Sequence, residues 1–326
     1  MNKIKKIAVF TSGGDAPGMN AAIRAVVRSA IYYKLEVVGI MRGYEGMIEG
    51  DFIPLDSHSV CNIIHRGGTI LKTARSKRFM TEEGMQEAYD QLTKTGVQGM
   101  VAIGGDGTFT GAMEFHRRHD IPIVGLPGTI DNDLFGTDFT IGYDTAINTV
   151  VQAIDKIRET ADSHNRLFFI EVMGRDAGFI ALRSGIAVGA EAILIPETKT
   201  HIDKLTAMLE AGWNKKKSSS IIIVAEGEHA GGAFKIAEQV QERFSQYDAR
   251  VSVLGHLQRG GSPTCMDRVL ASKLGVAAVE ALLEGRRDVM IGQVDSKVSY
   301  TPFEKAIKHN VEINQNLLWI ADILNV

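Results

Sequence analysis

Short apolar runs rich in β-branched residues alternate with amphipathic segments along the chain, and this alternation limits the possible folds more than any other feature. The short runs are typical of buried strands, and the longer segments carry the period of a helix. Such alternation is typical of a mostly parallel sheet with helices on both faces. We therefore predict an α/β protein. The predicted strands span residues 7–10, 36–41, 100–103, 121–126, 167–172, 192–195, 221–225 and 251–254, and the predicted helices include 19–33, 143–163, 202–216 and 232–247.

Length and composition set the next limits. A chain of 326 residues is too long for one small core, so two compact lobes that share one continuous fold are expected. A net charge of −3 gives no overall basic field, which argues against nucleic acid and anionic membranes as partners. Cys61 and Cys265 lie far apart without a CxxC pair, so neither a disulfide framework nor a structural zinc site is expected. No stretch has the pattern of a signal peptide or a membrane span, and we expect a cytoplasmic protein.

A first glycine-rich loop, TSGGDAPGMN at residues 11–20, connects a predicted strand to a predicted helix. Glycine lets backbone N–H groups approach a phosphate closely, and Gly14 is our candidate for that contact. A tight structural turn is the alternative, and it would be the better explanation of a lone glycine pair.

A second loop, GGDGT at residues 104–108, places one carboxylate among three glycines after another predicted strand. The glycines leave room for phosphate oxygens, and Asp106 offers the hard oxygen ligand that Mg²⁺ prefers. The alternative is that Asp106 caps the following helix.

A third loop, PGTIDND at residues 127–133, follows a third apolar strand. One of its two aspartates is a plausible proton acceptor, and the other is a plausible metal or orienting partner. Surface turns capped by Asp and Asn are the alternative. Three such loops after strands of one sheet make coincidence much less plausible than any single loop does.

Two further segments bring arginines to strand ends. MGRDAG at 173–178 contains Arg175, and HLQRGGSP at 256–263 contains His256 and Arg259. Each arginine could be an ordinary surface residue in an ion pair. Arginines that face one ligand site are better explained by phosphate, which matches the guanidinium fork.

These five segments together resemble the phosphofructokinase family, specifically its bacterial ATP-dependent members, and the resemblance covers nearly the whole chain. It implies the phosphofructokinase fold, with an ATP-binding lobe at 1–138 plus 252–305 and a fructose 6-phosphate lobe at 139–251 plus 306–326. It implies transfer of the γ-phosphate of MgATP to the 1-hydroxyl of fructose 6-phosphate, with Asp131 as general base and Asp133 nearby.

The resemblance also implies roles for individual residues. The catalytic residues would be Asp131, Thr129, Arg175 and Arg75, and Asp106 would hold Mg²⁺. ATP would be bound by Gly14, Arg75, Ser76, Gly104, Gly105, Asp106, Gly107 and Thr108. The sugar phosphate would be bound by Thr129, Ile130, Asp131, Arg166, Met173, Gly174, Arg175, Glu226, Arg250, His256, Leu257, Gln258 and Arg259.

Family members share arginines across a subunit interface, which here match Arg166 and Arg250, so a homotetramer is implied. An effector site for ADP or phosphoenolpyruvate is also implied, at Arg24, Arg28, Arg158, Gly189, Glu191, Lys215 and Lys217.

The sequence departs from the family pattern near two of these sites. Ser57 and His58 replace an Arg-Tyr pair common in the effector site, which leaves the strength of regulation open. Lys72 stands where glycine is usual, and Ser76 and Lys77 replace Phe-Pro after Arg75, which leaves the adenine contacts open.

Three alternatives remain at this stage. In pyrophosphate-dependent relatives GGDG reads GGDD and PGTIDND reads PKTIDND, so Gly107 and Gly128 here favour ATP. A Rossmann dehydrogenase would carry GxGxxG in the first turn, which this chain lacks. A nucleotide-binding regulator without chemistry would not need the carboxylates of PGTIDND.

Overall fold

The computed structural model describes residues 4–164, 166–214, 220–246, 248–307 and 312–324. The chain divides into two units, each built from separate stretches of sequence. The first unit comprises Met1–Ile130, Leu134–Thr145 and Arg259–Val311, and the second comprises Asp131–Asp133, Ala146–Gln258 and Glu312–Val326. The boundaries predicted from the sequence lie at 138/139, 251/252 and 305/306 instead, and the ligand of each lobe stays a prediction.

Strands and helices alternate through most of the described chain. The strands are β1 Lys6–Thr11, β2 Glu36–Ile40, β3 Phe52–Leu55, β4 Met100–Gly104, β5 Ile123–Pro127, β6 Arg166–Val172, β7 Ala192–Leu194, β8 Ser220–Ala225, β9 Asp248–Val253, β10 Val289–Val294 and β11 Lys297–Pro302. The α-helices are α1 Met19–Tyr32, α2 Gly43–Glu49, α3 Glu82–Thr95, α4 Asp106–Arg118, α5 Tyr143–His164, α6 Phe179–Ala187, α7 Ile202–Asn214, α8 Gly232–Arg243, α9 Cys265–Leu283, α10 Phe303–Ala306 and α11 Gln315–Leu324. Two 3₁₀ helices span Arg78–Met80 and Gly255–Arg259.

The first unit contains a seven-stranded sheet in the order β11-β10-β5-β4-β1-β2-β3. The strands β2, β1, β4, β5 and β10 run parallel, whereas β3 and β11 are antiparallel edge strands. Every residue from Ile7 to Phe10 and from Met100 to Ile103 is fully buried. Burial of consecutive residues means that both faces of the central strands are covered, as in a doubly wound sheet.

The second unit contains a four-stranded, fully parallel sheet in the order β7-β8-β6-β9. Its core is formed by Leu167, Phe169, Ile222 and Val224 of the sheet together with apolar side chains of α7 and α8. Both sheets are therefore mostly or wholly parallel, which confirms the predicted fold class. Each predicted strand and helix has a counterpart, although Lys215, Lys216 and Tyr247 at the ends of two predicted helices lie outside the described residues.

A buried carboxylate ties two helix starts together in the first unit. Asp267, in the first turn of α9, is 1% exposed and accepts hydrogen bonds from the backbone N–H groups of Gly142 and Thr145, each at 2.8 Å. The Thr145 hydroxyl donates a third bond at 2.5 Å. Thr264 caps α9 and donates its hydroxyl to Asp144 at 2.6 Å. These bonds fix the start of α5 against the start of α9.

Within the described residues, no helix is both long enough and apolar enough to cross a membrane.

Candidate active site

The three glycine loops meet at the carboxyl ends of β1, β4 and β5 in the first unit. Ser12 N donates to Ile103 O at 3.0 Å, and Gly128 N donates to Gly104 O at 3.0 Å. The parallel pairing of β1, β4 and β5 brings these strand ends to one edge of the sheet. The carboxyl edge of a parallel sheet is where such folds bind ligands.

Gly14 in the first loop lies against the guanidinium of Arg259. A Cβ added at Gly14 would stand 2.6 Å from Arg259 Nη1, and that nitrogen donates to Asp15 O at 3.3 Å. The Thr73 hydroxyl donates to the carbonyl of Gly13, which ties the loop to the segment that carries Arg75. The loop therefore carries a cation at its surface, as an anion site would require.

Two side-chain hydroxyl groups hold the second loop in place. Thr108 Oγ1 donates to Ser12 O at 3.1 Å, and Tyr44 Oη donates to Thr108 O at 2.6 Å. A Cβ at Gly104 would meet Thr108 Oγ1 at 2.2 Å, so only glycine fits there. Because Tyr44 is buried, the pKa of its phenol is strongly raised, and it stays a hydrogen-bond donor. The hydroxyl of Thr108 thus donates to the first loop in this structure.

The outer side of the second loop is open. A Cβ at Gly107 would have no atom within 4 Å, and Asp106 is partly exposed in the first turn of α4. The described residues contain no group of three or more His, Cys, Asp or Glu side chains that could hold a metal. Mg²⁺ carried by nucleotide phosphates needs only one or two carboxylates, so Asp106 beside an open glycine fits that ion.

The third loop is bonded to the residues just before α5. Thr140 Oγ1 donates to Thr129 O at 2.6 Å, and Ile141 N donates to Pro127 O at 2.7 Å. Ile130 is fully buried and Thr129 is nearly so. The segment that leads into Asp131 is therefore fixed by hydrogen bonds from Thr140 and Ile141, and Asp267 accepts hydrogen bonds from Gly142 and Thr145, which follow Ile141.

Asp131 is a buried carboxylate paired with an arginine of the same unit. Its side chain is 1% exposed, and Oδ2 lies 3.2 Å from Nε of Arg175, whose side chain is half exposed. A buried carboxylate that faces a guanidinium stays charged more easily than an isolated one. The structure thus places a buried carboxylate beside a half-exposed guanidinium, and the roles of the two residues stay predictions.

The loop that carries Arg175 has an unusual backbone. Gly174 has φ +142° and Arg175 has φ +52°, and a non-glycine residue in the left-handed region is uncommon. Glu226 Oε1 accepts from Gly174 N at 3.2 Å and from Arg175 N at 2.8 Å. Gln258 Oε1 accepts from Met173 N at 3.1 Å. Side-chain oxygens therefore hold three successive N–H groups.

The 3₁₀ helix at Gly255–Arg259 has both exposed and buried side chains. His256 and Leu257 are exposed, whereas Gln258 is fully buried. The exposed imidazole is available to a ligand. The side chain of Gln258 is bonded to the backbone of its own unit, and its role as a sugar-binding residue stays a prediction.

Arg166 and Arg250 converge on one carboxylate of the second sheet. Asp248 Oδ2 lies 3.1 Å from Arg166 Nε and 2.8 Å from Arg250 Nη2. Burial acts to raise the pKa of Asp248, but the hydrogen bonds from Arg250 and Arg166 outweigh it, and the pKa lies below its usual range. The two predicted phosphate ligands are therefore neighbours, and their action across an interface stays a prediction.

Arg75 is exposed, and the hydroxyl of Ser76 accepts from Phe79 N at 3.1 Å. Lys72 adopts φ +56°, so this position keeps the left-handed conformation although it is not a glycine. The segment remains a predicted nucleotide contact.

The predicted effector residues are divided between the units. Arg24 and Arg28 lie on α1 of the first unit, with Ser57 and His58 exposed after β3. In the second unit, Arg158 donates to the carbonyl of Val188 and to that of Gly189 at 3.4 Å. Glu191 precedes β7 in the same unit, and Lys215 and Lys217 lie outside the described residues.

Comparison with known proteins decides the family. The model of the phosphofructokinase family matches residues 6–282. The chain belongs to the phosphofructokinase family. Among curated phosphofructokinases, it is 56% identical to ATP-dependent 6-phosphofructokinase 2 of Bacteroides thetaiotaomicron, over all of both chains. It is 59% identical to ATP-dependent 6-phosphofructokinase of Cytophaga hutchinsonii, over 99% of this chain and 98% of that one.

Solved phosphofructokinase structures agree with the fold. The structure of phosphofructokinase from Saccharomyces cerevisiae matches with a TM-score of 0.89 and 36% identity, over 98% of this chain and 47% of the yeast chain. A pyrophosphate-dependent phosphofructokinase from Marinobacter aquaeolei matches with a TM-score of 0.84 at 20% identity, over 99% of this chain and 92% of that one, which supports the fold alone. An ATP-dependent phosphofructokinase is a phosphotransferase and implies a divalent metal cofactor.

Two residues that support these loops, Tyr44 and Asp267, are not among those predicted from the sequence. Gln258 is predicted as a substrate contact, and that role stays a prediction, although its amide bonds to backbone in the structure. The signal for Tyr44 was weak, because an aromatic residue between two glycines in RGYEG is as typical of core packing as of a site. Asp267 stands three residues after Thr264 at the start of an apolar helix, a pattern of helix capping that could have drawn attention to it.

Proposed function

We propose that the chain is an ATP-dependent 6-phosphofructokinase, which transfers the γ-phosphate of ATP to the 1-hydroxyl of fructose 6-phosphate and releases ADP and fructose 1,6-bisphosphate. The observation that carries the proposal is the buried carboxylate of Asp131, 3.2 Å from Arg175, in the loop that follows β5. The full-length similarity to curated enzymes of that name supports it.

Asp131 acts as the general base. Its Oδ accepts the proton of the sugar 1-hydroxyl while the oxygen attacks phosphorus, and the carboxylate is held ready by the rigid segment of Thr129 and Ile130. Such a base is worth roughly 10² to 10⁴ in rate. Arg175, once it turns from Asp131 toward phosphate oxygens, and Arg75 stabilise the negative charge of the transferred group.

The first unit binds the nucleotide. Backbone N–H groups at Gly14 and at Gly105–Gly107, the latter at the positive end of α4, face the phosphates. Asp106 is the residue that would hold Mg²⁺, which neutralises phosphate charge when it is bound with ATP. The loops that carry these groups are bonded to one another through Ser12, Gly104 and Thr108, which favours a preformed phosphate site.

The sugar phosphate is bound mainly by residues of the second unit. Met173, Gly174 and Glu226 hold the sugar, and His256 holds its 6-phosphate together with Arg259. Arg166 and Arg250 reach the 6-phosphate of a neighbouring subunit in a homotetramer. ADP and phosphoenolpyruvate act at the cationic effector residues, and the enzyme is cytoplasmic.

A coupled assay of the purified chain tests the proposal. Fructose 6-phosphate with MgATP should give fructose 1,6-bisphosphate, which aldolase and triose-phosphate reporters detect. Pyrophosphate in place of ATP should give little product, because Gly107 and Gly128 match the ATP-dependent pattern. Turnover with pyrophosphate that equals or exceeds turnover with ATP would contradict the choice of donor. Absence of turnover with both donors would contradict the reaction.

A further inference from the structure

Gln258 is a fully buried polar side chain that bonds to two separate backbone segments. Its Oε1 accepts from Met173 N at 3.1 Å, and its Nε2 donates to Gly255 O at 3.0 Å. An amide is the one common side chain that presents an acceptor and a donor at the same distance from the backbone. Both ends of the Gln258 amide are therefore used inside the protein.

The two segments that Gln258 connects have different predicted tasks. The first is the loop of Met173, Gly174 and Arg175, whose left-handed backbone is held by side-chain oxygens. The second is the 3₁₀ turn that exposes His256. Without these bonds the loop has no local preference for its conformation, because a left-handed arginine is intrinsically disfavoured.

The loop in turn orients the reacting groups of this unit. Arg175 places its Nε 3.2 Å from Asp131, so a shift of the loop backbone moves the guanidinium relative to the carboxylate. Displacement of a catalytic group by about 1 Å is enough to cost roughly 10² in rate.

We propose that Gln258 is a positioning residue: its amide links the turn of His256 to the loop of Arg175, and so sets the spacing between the sugar-phosphate end and the reacting end of the bound substrate. The inference rests on the proposed function of these residues. It differs from the predicted role of Gln258, since the side chain acts through Met173 and Gly255 rather than by touching substrate.

The substitution Gln258→Glu makes the link dependent on pH. An ionised carboxylate can still accept from Met173 N, but its second oxygen then faces the carbonyl of Gly255, and two acceptors repel. A protonated carboxyl restores the donor and has nearly the shape of the amide. Burial and the facing carbonyl both disfavour the charged form, so the variant regains the link as the pH falls.

The test is steady-state kinetics of Gln258→Glu and Gln258→Met from pH 8 to pH 6, with each value divided by that of the parent at the same pH. Loss of a buried hydrogen bond that leaves a group unpaired predicts a sugar KM raised about tenfold in both variants at pH 8, with a lower kcat. The KM for MgATP should stay within about twofold, since the nucleotide loops belong to the other unit. As the pH falls, the sugar KM of Gln258→Glu should recover and that of Gln258→Met should not.

Gln152→Glu is the matched control, because Gln152 is exposed on α5 and the same charge change there should alter none of these values. A purely structural role would lower the melting temperature and the active fraction without shifting the sugar KM. Gln258→Met carries no charge, so it still reports if Gln258→Glu fails to fold. A sugar KM within twofold of the parent in Gln258→Met, or no recovery with pH in folded Gln258→Glu, overturns the inference. An inactive parent overturns the proposed function and this inference with it.

Discussion

Gly107 offers a direct test of how the chain selects ATP. It lies in the first turn of α4, and a Cβ added there meets no atom within 4 Å. The substitution Gly107→Asp therefore creates no clash inside the protein. It also removes a flexible glycine from a helix, a gain of only about 0.3 kcal/mol because aspartate is itself a poor helix former, and adds an acid near the helix N-terminus, a gain of about 0.3 to 1 kcal/mol. We expect the melting temperature of the variant to equal or exceed that of the parent.

The expected effect on catalysis is much larger. Two unit negative charges about 5 Å apart, at an effective dielectric constant of about 20, repel each other by about 3 kcal/mol. If the carboxylate of the new residue faces the α-phosphate of ATP at such a distance, kcat/KM for ATP falls by roughly 10². Pyrophosphate lacks the nucleoside and its α-phosphate, so its use should fall less.

The assay compares both donors at saturating fructose 6-phosphate, in the parent, Gly107→Asp and Gly107→Asn. The asparagine variant has almost the same shape without the charge and separates repulsion from bulk. We expect a modest loss in Gly107→Asn and the full loss in Gly107→Asp. Equal losses with ATP and pyrophosphate, or equal losses in both variants, would refute the charge argument. A lower melting temperature would refute the inference that the space beside Gly107 is open.

Three other substitutions test the remaining assignments. Asp131→Asn should lower kcat by roughly 10² to 10⁴ with little change in the dissociation constant of the sugar phosphate, measured by calorimetry, because the amide keeps the shape and cannot accept the proton; near-parental turnover would remove Asp131 from the role of base. Asp106→Ala should lower turnover and raise the Mg²⁺ concentration for half-maximal activity, and an unchanged Mg²⁺ titration would point to another ligand. Ser57→Arg should tighten ADP or phosphoenolpyruvate control of sugar saturation, because a charge-assisted bond to phosphate contributes about 1.5 to 3 kcal/mol; an unchanged effector titration would contradict this use of the position.

The strands and the glycine loops could be predicted from sequence because each depends on a local pattern. Runs such as residues 100–103 are buried on both faces and contain almost nothing but apolar residues, so they read clearly as central strands. The loops follow these strands directly, and the parallel arrangement then brings their carboxyl ends together.

The supporting contacts could not be predicted in the same way, because their partners are far apart in the sequence. Nothing local indicates that Arg259 lies against Gly14, or that Asp267 accepts from the start of α5. Gln258 shows the limit most clearly, since a glutamine between Leu257 and Arg259 in a ligand-binding motif looks like a ligand residue. Only the folded structure shows that this side chain is buried and that both ends of its amide bond to backbone.

The position of β10 in the first sheet has a consequence for synthesis of the chain. β5 pairs with β4 on one side and with β10 on the other, at Val124 with Val289 and at Gly125 with Met290. The entire stretch from Ala146 to Gln258 leaves the ribosome before β10 does. Until then β5 is an uncovered parallel edge, which is a site for wrong pairing between nascent chains. The sheet of the first unit therefore cannot be completed until the C-terminal part of the chain has been synthesised. Truncation before residue 289 should yield aggregation rather than a smaller folded enzyme.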